Sequence, residues 1–128
     1  MKNLCTVCLC LATFLSAGCA HSSASPKLDQ SSGIDLTLVA KRYGVPRCQV
    51  SLPLTQNEAL ASIASDGVPS PESRPDWVAM SGAIEPGDQL RQVVCLTKGY
   101  SGLAAGDIFY AVFRDGAMVA EMHPVIIN

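Results

Sequence analysis

The chain has 128 residues, and its softest and most nucleophilic side chains are six cysteines, two histidines and four methionines. Cys5, Cys8 and Cys10 form C-x-x-C-x-C, a spacing that metal and redox sites use. All three lie inside an uncharged, mostly apolar run from Leu4 to Leu15, so their simpler role is apolar filler in a segment that is removed. His123 is the one histidine beyond the Ser-rich N-terminal stretch. A hydrolase would need a Ser, Cys or Thr beside it; Cys95 is a candidate only while its thiol is free. Met118, Met122 and His123 together offer the sulfur and imidazole ligands that copper(I) prefers. On a regular strand the two methionines share a face and His123 points away, so core filling is the simpler reading of both. Asp88, Asp107 and Glu121 could pair as general acid and base, yet each sits in or near a turn, where a solvated carboxylate is commoner. The sequence holds neither G-x-S-x-G nor H-E-x-x-H. No cofactor is expected, and catalysis ranks below binding.

The cysteines take their meaning from the compartment. Lys2 supplies a positive charge, and the 12 residues from Leu4 to Leu15 follow it. A helix needs roughly 20 apolar residues to span a bilayer; a run of this length suits the core of an export signal. Leu15-Ser16-Ala17-Gly18-Cys19 then resembles the bacterial lipobox. The resemblance implies cleavage after residue 18 and a diacylglycerol on the Cys19 thiol. Ala20, rather than Asp, implies sorting to the outer membrane, facing the periplasm. Ordinary secretion with cleavage near Ala17 or Ala20 is the competing reading. Export leaves two cysteines, Cys48 and Cys95, in an oxidising compartment where paired thiols usually join. A Cys48–Cys95 disulfide is therefore expected, with two buried free thiols as the alternative.

These residues must be positioned by one domain. Residues 1–18 are read as signal, 19–33 as lipidated cysteine and flexible tether, and 34–128 as the folded part. The tether reading rests on five serines and few large apolar residues between Ala20 and Gly33. A short helix is expected over 34–43, stopped by Gly44, and a short strand over 48–52. Thr55-Gln56-Asn57-Glu58 is a capping box for a helix over 56–65. Three prolines make 68–76 an extended loop. Asp76 is read as the cap of a helix carrying Trp77, Met80 and Ile84. Strands are expected over 89–97, 108–114 and 117–122, the last two joined by Asp115-Gly116 in a type I′ turn. The fold class is α+β: a small antiparallel sheet of three to four strands packed with one to three short helices.

From Leu52 onward, Leu52-Pro53-Leu54, Trp77, Pro86-Gly87-Asp88, Leu90, Phe113-Arg114-Asp115-Gly116 and Asn128 resemble a family of small bacterial proteins of uncharacterised function. That resemblance implies a compact α+β domain and no particular activity. Without Lys2 the net charge is −3, and the basic residues are scattered, which argues against a nucleic-acid partner. The expectation is a membrane-anchored envelope lipoprotein that serves as a binding or structural module, touching the membrane through lipid on Cys19 and an envelope protein partner. Trp77 is a candidate contact if exposed and a core residue if buried. A hydrolase using His123, or a copper-binding protein using Met118, Met122 and His123, are the alternatives.

Overall fold

A computed structural model describes residues 25–96 and 106–124. The segment read above as an export signal, Cys19, residues 97–105 and the last four residues lie outside the described residues. Among the described residues three α-helices, α1 (Leu36–Tyr43), α2 (Gln56–Ser65) and α3 (Pro75–Gly82), accompany four strands, β1 (Arg47–Val50), β2 (Gln89–Leu96), β3 (Gly106–Arg114) and β4 (Ala117–Met122). The strands form one antiparallel sheet in the order β1-β2-β3-β4. The fold is α+β, as the alternation of capped helices and apolar strands implies.

Local chemistry sets the elements. Asp35 accepts the amides of Thr37 and Leu38 and starts α1, and Gly44 ends it at φ 64°, a conformation that glycine adopts without steric cost. The Thr55–Glu58 capping box is present with both reciprocal bonds, at 2.7 and 3.1 Å. Within the Pro-rich segment, Pro71–Ser73 winds into a single 3₁₀ turn rather than staying extended throughout. Helix α3 starts two residues earlier than expected, with Pro75 in its first turn, where the missing N–H costs nothing, and it ends at Gly82, so Ile84 lies beyond it and not on it. Asp76 instead accepts the Trp77 amide and a two-bond ion pair from Arg74. Asp115 and Gly116 have φ of 50° and 80°, the two positive values that a type I′ turn needs.

Both faces of the sheet are covered. On one, α1 places Val39 and Ala40 against Cys48, Val50, Val93, Cys95, Phe109, Ala111 and Phe113. On the other, α2 and α3 place Ala59, Ile63, Trp77 and Met80 against Leu90, Tyr110, Val112 and Met122. This explains why β3 is apolar on both sides. Buried Tyr110 still satisfies its hydroxyl, which donates to Ser62 Oγ at 2.7 Å and accepts from Gln92 at 3.0 Å. Burial pushes that phenol above its ordinary pKa.

Residues 27–29, read above as part of the tether, lie along β1. Leu52 donates its amide to the Lys27 carbonyl and Asp29 donates to the Val50 carbonyl, both at 2.8 Å. A buried side chain holds them there. Arg91, 3% exposed, binds the Asp29 carboxylate and the Ser51 carbonyl through one Nη, each at 2.7 Å, and the Gln89 amide oxygen through its other nitrogens. A guanidinium taken out of water needs such partners. The serines favour flexibility, but this single long-range ion pair and the free edge of β1 overrule them.

The acidic groups give the fold a pH limit. Hydrogen bonds from Arg114 hold Asp88 down at about 2. Arg91 lowers Asp29, Arg74 lowers Asp76, and the Thr55 amide lowers Glu58. A carboxylate depressed on folding adds stability above its unfolded pKa, near 4, and loses it as pH falls through the folded value. The urea midpoint is therefore expected to be flat from neutral pH to about pH 5 and to drop steadily toward pH 2. Asp88→Asn should flatten the lower end of that drop. An acid-insensitive midpoint would contradict these assignments.

A candidate binding face at the β4 edge

Strand β4 is the outer strand of the sheet on the side opposite residues 27–29. Its inner edge pairs with β3, and its outer edge has no backbone partner among the described residues. Such an edge is a row of unused donors and acceptors, and extended peptides dock on edges of this kind. The register breaks between Val112 and Phe113: Val112 faces Ala120, whereas Phe113 faces Met118. Val119 is thus the extra residue of a β-bulge, and it is 45% exposed.

A groove of about 370 Å³ adjoins the edge, between α1 and the β3–β4 turn. Leu38 and Met118 supply apolar lining, and Asp35, Asp115 and Arg42 the charged part of it. Leu38 is 64% exposed, the most exposed of the large apolar side chains among the described residues. Arg42 pairs with Glu121 of β4 at 3.0 Å, and Glu121 also meets His123 Nε2 at 3.1 Å. The His123 ring stacks on Phe109, with centroids 4.5 Å apart, and tilts against Tyr43 at 5.6 Å. The Tyr43 hydroxyl is buried without a partner among the described residues.

The other candidate residues are dispersed. The bulge puts Met118 in the α1-side core and Met122 in the α2/α3-side core. This corrects the expectation that the two methionines share a face, because one inserted residue reverses the alternation of a strand. His123 packs on Phe109 of the α1 side, so no copper(I) site is assembled from the three. Among the described residues no three His, Cys, Asp or Glu side chains are placed to hold a metal. Cys95 is bonded to Cys48 and has no thiol to offer His123. No described Ser, Thr or Cys hydrogen-bonds that imidazole, whose polar partner is Glu121. Asp88 precedes one end of β2 and Asp107 faces the other, at Cys95, so those carboxylates cannot share a proton. Trp77 is 4% exposed and belongs to the core.

Sequence reasoning missed the bulge, the groove and the Arg91–Asp29 pair. Only the last left a trace, a lone arginine in the apolar run from Leu90 to Leu96. Comparison of the chain with family models, with curated proteins and with solved structures gives no match.

Proposed function

We propose that this chain is an exported, lipid-anchored module of the bacterial cell envelope, which binds an extended segment of a partner protein along β4. One observation carries the binding reading: a strand edge unpaired among the described residues lies beside an open, largely apolar groove, while the buried ion pair and the Gln92–Tyr110–Ser62 chain are internally satisfied. The anchor reading rests on Leu15–Cys19 and is supported by the Cys48–Cys95 bond, which suits an oxidising compartment. A partner strand would pair with the β4 backbone and place an apolar side chain between Leu38 and Met118. Arg42, already paired with Glu121, would contribute orientation more than affinity.

The test is site-specific photocrosslinking in intact cells, with mass spectrometry of the Cys19 peptide alongside. A crosslinker at Val119 is expected to give a discrete envelope-protein adduct, and one at Leu52, exposed at the opposite, β1 side of the sheet, none. Leu38→Asp should cut the Val119 adduct by about tenfold or more, because an unpaired carboxylate buried under an apolar side chain costs several kcal/mol. No adduct at Val119 overturns the binding reading. A Cys19 peptide without lipid overturns the anchor.

A further inference from the structure

The charges divide around the fold. Among the described residues, Arg42, Arg74, Arg91 and Arg114 are each ion-paired, whereas Lys27, Lys41 and Arg47 have no carboxylate within salt-bridge distance. All three lie on the β1 side. Lys27 is where the chain joins the β1 edge, Arg47 begins β1, and Lys41 is in the last turn of α1.

Lys41 and Arg47 flank one groove of about 300 Å³ between α1 and β1. Its other walls are Leu36, Thr37, Val45 and Pro46, together with Ala40 and Cys48 at its base, and no carboxylate lines it. Both cations are exposed. Part of the lysine's role is to complement the carbonyl end of α1. That does not account for Arg47, which lies outside the helix and faces the same groove. Two unneutralised cations over an apolar floor match an anionic phospholipid, with phosphate at the rim and glycerol and upper acyl carbons beneath.

The chain's path supplies the second argument. The described residue nearest Cys19 with a backbone bond to the sheet is Lys27, beside β1, so a lipid on Cys19 would hold the β1 side toward the bilayer and the β4 edge away from it. We infer that the α1–β1 groove docks on anionic phospholipid headgroups of the membrane that anchors the protein. This inference rests on the lipid-anchor reading. Each Lys or Arg near an anionic surface contributes about fivefold to binding, so the pair contributes about thirtyfold to the docked population.

The test uses the mature protein, purified with its native N-terminus and carrying Thr37→Cys labelled with an environment-sensitive fluorophore. It is reconstituted in vesicles of phosphatidylcholine alone or mixed with phosphatidylglycerol. The expected result is a blue-shifted emission only in the anionic vesicles, reversed by high salt and absent in Lys41→Gln/Arg47→Gln. An unchanged circular dichroism melt shows that the variant keeps its fold, and unchanged mobility on a non-reducing gel that it keeps its disulfide. Identical emission in both vesicles, with lipid found on the Cys19 peptide, overturns the headgroup contact alone. A Cys19 peptide without lipid overturns the anchor and this inference together.

Discussion

Replacing Cys48 and Cys95 together by alanine is expected to lower the free energy of unfolding by about 4 kcal/mol. The two are 47 residues apart in the chain and directly opposite each other in the β1–β2 register, with α-carbons 4.0 Å apart. Their bond closes a long loop that contains α2 and α3, so in the unfolded state it removes much of the freedom that folding must otherwise suppress. The native state loses little besides the sulfur packing, because the β1–β2 backbone ladder remains. Small domains are stable by only about 5–15 kcal/mol, so the loss is a large share of the total. Equilibrium denaturation in guanidinium, with and without reductant, measures it. Reduced wild type and the double variant should unfold at similar midpoints, both well below the oxidised protein. A midpoint unmoved by reduction would show that the strands and helices hold this loop without the bond.

Trp77→Ala is expected to cost about 3–5 kcal/mol. Trp77 sits with Met80, Ile63, Leu90 and Tyr110 in the core between the sheet and the two helices of that face. Truncating an indole there leaves a void that the short α3 cannot close without losing its own contacts. For a domain of this size each kcal/mol lowers the melting temperature by about 4–8 °C, so the variant should be largely unfolded at physiological temperature. Trp77→Phe should recover much of the loss. The result separates two roles that the residue type allows. A partner contact would weaken crosslinking at Val119 without moving the melting temperature, whereas a core residue moves the melting temperature first.

Features written in adjacent residues were legible in the sequence. Thr55 and Glu58 state a helix start within four positions, Asp115-Gly116 states a hairpin, and Gly44 before Val45-Pro46 states a helix stop; each is a local demand of the backbone. The disulfide was legible for a different reason, since one compartment argument left only two cysteines to pair. The candidate face was not legible. Val119 as a bulge depends on how β4 meets β3, and nothing in Ala117–Met122 marks which residue will be skipped. The faces of Met118 and Met122 were therefore misjudged by simple alternation. The docking of residues 27–29 was hidden because Asp29 is unremarkable among serines until Arg91, far along the chain, is folded next to it. The α1 grooves are spaces between elements, and a linear pattern of residues does not encode a space.

If Cys19 carries lipid as proposed, the Arg91–Asp29 clip also sets how far the domain can roam. Eight residue steps connect Cys19 to Lys27, and a fully drawn-out chain covers at most about 3.5 Å per step. With fat on Cys19, the leash is then shorter than about 30 Å, comparable to the width of the domain it holds. A floppy stretch running on to Gly33 would nearly double that radius. Held this close, a lipid-anchored protein would be a fixture of its membrane's surface, and a partner would have to come to it.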